Sequence, residues 1–137
     1  MNLDDLSGLS LLWNDGNVIR GRIFGSLPSI KNGRRLVRIR GRVIPIKSEE
    51  AIDYVETIQK AVSLSRVKEI PLDCEKMELT VNVWPSSMRP DLECELLPDC
   101  LQKAGVIKND RAIWRKVYER VAVDKESPRI EFAIRPM

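Results

Sequence analysis

Met77, Leu79, Val81 and Val83 alternate with Glu78, Thr80, Asn82 and Trp84, a period of two that suits an extended strand with one buried face. The strand runs into the loop Pro85–Ser–Ser–Met–Arg–Pro90, and a rigid strand that delivers a loop is a common way to place functional side chains. Downstream, RPDLECELLPDCLQKAGVIKNDRAI, residues 89–113, reads as a short helix ending at Gly105. Asp91 and Glu93 precede that helix and Asp110 follows it. A compact return of the chain could set the three acids around one divalent cation, and carboxylates are hard oxygen donors suited to Mg²⁺ or Mn²⁺. A plainer reading competes with this one: Glu93 and Glu95 as first-turn helix acids, Asp99 as a solvated residue and Asp110 as a turn former.

The opposite end of the chain is basic. Residues 16–48 hold Arg20, Arg22, Lys31, Arg34, Arg35, Arg38, Arg40, Arg42 and Lys47 with no acid; with Asp4, Asp5 and Asp15 before them, residues 1–48 carry +6 and the remainder −3. Like charges at this density repel unless something neutralises them, which favours contact with a polyanion over a merely solvated strand face. Lys31, Arg34, Arg35, Arg38, Arg42 and Lys47, with Arg89 beside the acids, are the candidate nucleic-acid contacts.

The absence of histidine excludes a Ser-His-Asp triad, a Cys-His pair, an HNH-type nuclease and a Cys₂His₂ zinc finger. Cys74, Cys94 and Cys100 show no C-x-x-C spacing, the pattern of idle thiols in a reducing compartment. No apolar run is long enough to span a bilayer, and Met1–Asp5 is acidic, unlike a secretory leader. A cytoplasmic protein without membrane contact is expected.

With 137 residues, 43% of them hydrophobic, the chain fits one domain with its own core. Val18–Phe24 alternates as a strand, and two short β segments follow near Arg35–Ile39 and Arg42–Ile46, with Pro45 suggesting an edge. Ser48 can cap a helix that opens with Glu49 and Glu50 and carries Ala51, Ile52, Val55, Ile58 and Val62 as its apolar stripe. Ile113–Val123 and Arg129–Ile134 read as strands joined by a D-K-E-S-P turn. The expected architecture is α+β: a mixed sheet of about four to six strands with two helices on one face. Residues 1–15 read as an arm, in which L-S-L-L-W faintly resembles the short peptides that dock on bacterial sliding clamps, without their usual Gln.

R-P-D-L-E, followed by D-C-L-Q-K-A-G-V-I-K-N-D, resembles the RusA family of Holliday-junction resolvases. That family's pattern is D-L-D-N, a helix carrying D-A-L-x-x-A-G, and D-D-x-x-I. Residues 25–33, G-S-L-P-S-I-K-N-G, are similar in position and character to the family's P-P-S-x-N loop. The resemblance implies a nuclease domain over residues 16–137, acting in DNA recombination and repair. It implies a homodimeric, Mg²⁺-dependent endodeoxyribonuclease that cuts four-way junctions, with Asp91, Glu93 and Asp110 in the places of the catalytic, metal-binding carboxylates. The departures concern catalysis. Glu93 stands for the family's second Asp and Cys94 for its Asn, and the spacing from Asp91 to Ala104–Gly105 is shorter. The family's helix lysine has no counterpart, Lys103 and Lys108 being the nearest substitutes in sequence. Two other readings stay open: a branched-DNA-binding protein of the same fold with weak or no catalysis, and a replication-protein adaptor acting through its N-terminal arm.

Overall fold

The computed structural model describes residues 8–29, 34–39, 41–47, 49–89 and 92–137, with only the backbone of 34–39 and 42–47 described. It is a single α+β domain built on a five-stranded mixed sheet and two helices. The sheet strands are β1 (Leu11–Asp15), β2 (Val18–Phe24), β5 (Met77–Trp84), β6 (Ile113–Arg120) and β7 (Arg129–Pro136), in the order β1-β2-β7-β5-β6. Only β5 and β6 are parallel, and the chain between them crosses over through α2 (Leu97–Lys103), as parallel neighbours require.

β3 (Arg34–Ile39) and β4 (Arg42–Lys47) form a separate antiparallel ribbon with Arg34 paired to Lys47 and Ile39 to Arg42. Both strands of a two-stranded ribbon are edges, which is where Pro45 is tolerated. The expected N-terminal arm is part of the domain from Leu11 onward: β1 pairs with β2 along its whole length, with Asp15 opposite Val18, and buries Leu12. The boundary expected after residue 15 falls inside this hairpin.

One sheet face meets both helices. Ile19 and Ile23 of β2, Met77, Leu79 and Val81 of β5, and Ile130, Phe132 and Ile134 of β7 bury into one cluster with Leu97 and Leu101 of α2. Helix α1 (Glu49–Ser65) contributes Ala51, Tyr54, Ile58 and Ala61. This differs from the expected stripe: Ile52 is 44% exposed, while Tyr54, 5% exposed, takes the inner position. Spacings of three, four and three residues follow a 3.6-residue period, and Ile52 lies about 100° off that line.

Gly21 is set by close approach. A Cβ there would lie 2.4 Å from Cε1 of the Phe132 ring, its cross-strand partner, so the ring occupies the space a side chain would need. At the end of α2, Gly105 takes φ +85°, and the Val106 N–H returns to Leu101 O at 2.9 Å. A left-handed glycine of this kind is a common helix stop. No helix among the described residues is long and apolar enough to cross a membrane.

Candidate functional site

The loop after β5 carries the candidate acids. Asp91 lies outside the described residues, as does Lys31. Glu93 is half-buried, and its Oε1 accepts a hydrogen bond from the Glu95 N–H at 2.7 Å. It lines a cleft with Trp84, Ser86, Ser26, Arg120 and Arg129, at the end of the sheet where β5 terminates.

Asp110 is at the other end. It opens a 3-10 turn (Asp110–Ala112) that leads into β6, and its N–H is bound by Gln102 Oε1 at 2.8 Å, at the far end of α2. Ile113, just after that turn, pairs with Met77, whereas Glu93 shares its cleft with Val83. Met77 and Val83 are separated by roughly 20 Å of strand at ~3.3 Å per residue. Helix α2, ~10 Å long, covers part of that return. Two oxygens on one Mg²⁺ each lie about 2.1 Å from it, so the structure does not bring Glu93 and Asp110 together on a shared ion. Among the described residues there is no group of three His, Cys, Asp or Glu side chains that could hold a metal. The physical reason is the parallel crossover: a helix that returns the chain to start β6 beside the start of β5 carries Asp110 away from the loop at the end of β5.

What surrounds Glu93 instead is cationic. Lys116 of β6 reaches Glu95 Oε2 at 3.1 Å. Lys103 pairs with Asp99 at 3.6 Å and Lys108 with Asp73 at 3.2 Å, both away from the cleft. Lys116 is thus the lysine that the fold delivers beside the Glu93–Glu95 loop, by strand register and not by helix spacing. Arg129 lies 4.5 Å over the Trp84 ring, its strand partner, and donates to Asp124 Oδ2 at 2.8 Å. That hydrogen bond, with one from the Ser127 N–H, holds the Asp124 carboxyl below its usual range. Arg89 is exposed at the lip of the loop.

Sequence reading missed Arg120, Arg129 and Lys116, because they come from strands distant in sequence. The one available signal was the start of β7 lying opposite the end of β5, which pairs Arg129 with Trp84. The remaining nucleic-acid candidates, Arg34, Arg35, Arg38, Arg42 and Lys47, lie on the β3–β4 ribbon. Leu11–Trp13, part of the clamp-like peptide, forms β1 and is committed to the sheet.

Burial pushes the Cys94 thiol up to about 12, with the charges of Glu93 and Glu95 acting in the same direction. Burial, then Glu95, likewise drives Tyr118 well above its usual value. Cys94 and Cys100 are buried and Cys74 is half-buried. Burial and the Asp73 charge raise the Cys74 thiol as well, so a thiol reagent at mildly alkaline pH is expected to modify Cys74 first and the other two only on unfolding; three equally fast thiols would contradict this packing. Stability has a definite sign as well. Cys94 is raised from 9.0 to about 12, so its contribution is complete below pH ~9 and lost as the pH rises toward ~12. Tyr118 acts with the same sign, and a thermal midpoint that holds steady below pH ~9 and falls above it is the expected result.

The sequence matches no family model and no curated protein.

Proposed function

We propose that this protein is a structure-selective DNA endonuclease of the RusA type that acts on four-way junctions as a homodimer. The observation that carries the reading is the order of parts. A strand ends at Trp84, shortly before the R-P-D-L-E segment in sequence, a short helix stops at Gly105, and a basic two-stranded ribbon lies N-terminal to both. This is the strand–loop–helix context that the motif's resemblance calls for.

The proposed centre is the loop end, with Asp91 and Glu93 as the metal-facing carboxylates and Asp110 outside their shell. A bound Mg²⁺ there would supply an activated water and charge neutralisation at the phosphorus oxygens. The protein's own part is to receive the DNA backbone. Arg89 and Arg120 offer guanidinium forks that suit phosphate oxygens. Lys116, paired with Glu95, keeps a cation on the loop that follows Glu93. Lys31, Arg34, Arg35, Arg38, Arg42 and Lys47 would extend the contact along a junction arm. A C₂ dimer would match the two equivalent strands of a four-way junction.

A synthetic four-way junction and a linear duplex of the same composition, each with and without Mg²⁺, test the reading. Metal-dependent cutting of the junction alone is the expected outcome. Junction affinity should also fall steeply with salt, by ~10³-fold or more between 50 and 200 mM if about six phosphates are neutralised. A flat salt response would remove the polyanion contact from the proposal.

The separation of Glu93 from Asp110 favours a second reading, a protein that binds branched DNA and cuts it weakly or not at all. Salt-sensitive binding with no metal-dependent product would select it.

A further inference from the structure

Strand β6 lies at one edge of the sheet, eight residues long, with no proline. An edge of this length is a template for another strand unless something blocks it. The Val121 N–H donates to Val83 O at 2.9 Å, and Val83 pairs with Arg120. Alternation then turns the peptide groups of Glu119, Val117 and Arg115 toward β5 and those of Lys116, Tyr118 and Arg120 outward; the register with β5 shifts between Ile113 and Arg115, which leaves Trp114 outside this alternation. The side chains along this edge include a Trp114 that is 65% exposed and a Val117 that is 40% exposed, followed by exposed Val121 and Val123.

The geometry points to a second copy of this chain as the occupant, paired antiparallel through β6 about a two-fold axis at Val117, so that two sheets become one continuous sheet. The choice rests on charge. Antiparallel pairing must set outward-facing residues opposite one another, so the axis can fall only at a residue and the registers can be enumerated. With the axis at Lys116, Lys116 meets itself. At Tyr118, Lys116 meets Arg120, and at Arg115 or Glu119 a charge again meets its own copy. At Val117, Arg115 faces the partner's Glu119, Lys116 faces the partner's Tyr118, and Val117 faces itself. Of these registers it is the one that opposes no like charges, and directly opposed unlike charges stabilise strand pairs while like charges destabilise them. Arg115, held 3.3 Å from Glu78, already lies on the helix-free face that it would share with the partner's Glu119. The charges on this edge thus disfavour the other enumerated registers with its own copy and accept one.

This names the surface for the dimer that the nuclease reading asks for, and rests on that reading for its purpose alone; the test uses neither DNA nor metal, so the two can fail separately. In a Cys74→Ser background, Val117→Cys places two thiols across a non-hydrogen-bonded pair with Cα atoms ~4.5 Å apart, within disulfide range. Mild oxidation is expected to give a covalent dimer for Val117→Cys and not for Glu119→Cys, whose opposite residue is Arg115. By sedimentation equilibrium, Glu119→Arg should raise the dimer dissociation constant about tenfold or more, and Arg115→Glu combined with Glu119→Arg should restore it, with circular dichroism confirming the fold of each variant. The inference is overturned if the native chain stays monomeric at its highest soluble concentration. It is equally overturned if Glu119→Cys cross-links as readily as Val117→Cys, or if Glu119→Arg leaves the dimer unchanged.

Discussion

Asp91→Asn is expected to lower metal-dependent junction cutting by at least ~10²-fold while leaving junction binding intact or slightly tighter. Removing one oxygen ligand's charge weakens the hold on the metal and the charge stabilisation it supplies. Binding gains, because a negative charge facing phosphate has gone. Asp110→Asn should behave differently, with a loss below ~10-fold, because the crossover through α2 carries Asp110 to the opposite end of the sheet. Single-turnover cleavage beside a gel-shift titration separates chemistry from binding for both variants. If Asp91→Asn cuts normally, the loop is not the centre. If Asp110→Asn matches Asp91→Asn, the three acids act together in an arrangement that one protomer does not contain.

Phe132→Ala should cost about 3–5 kcal/mol, a large share of the ~5–15 kcal/mol that holds most domains folded. Phe132 is 2% exposed and sits on the middle strand, opposite Gly21 on β2 and Val81 on β5. Gly21→Ala should cost about 1–3 kcal/mol by overpacking, since its methyl would meet the same ring at 2.4 Å. Because both changes act on one volume, they should not add. In the double variant the methyl enters space the ring has left, and the combined loss should be smaller than the sum. Urea unfolding of the two single variants and the double one measures this; strict additivity would mean that the cost at Gly21 does not arise from the Phe132 ring.

Local periodicity made much of the fold legible. The alternation in Val18–Phe24 and Met77–Val83 is a property of the strand itself, and the Gly105 stop belongs to the helix it ends, so both could be read without tertiary knowledge. The five-stranded mixed sheet and its two helices fell within the expected range for the same reason. What escaped depends on partners. Leu11–Asp15 is too short to announce itself and becomes a strand by pairing with β2. Tyr54 replaces Ile52 in the buried line because the 3.6-residue period set by Ala51, Ile58 and Ala61 runs through it, and the hydroxyl hid that from a purely apolar stripe. The candidate site was partly legible: Glu93 is on the expected loop, but the distance to Asp110 is set by the parallel pairing of β5 with β6. Arg120 and Arg129 reach the cleft, and Lys116 reaches Glu95, only because strands remote in sequence lie side by side.

The position of β7 bears on how the molecule comes together during synthesis. β7 follows the other described strands of the sheet and bonds to both β2 and β5, so the β1–β2 hairpin and the β5–β6 pair are not joined through the sheet until residues 129–136 have left the ribosome. Until then two half-sheets, each with an apolar side, wait unjoined, and any stall in translation upstream of residue 129 leaves a nascent species with unclosed seams open to chaperones.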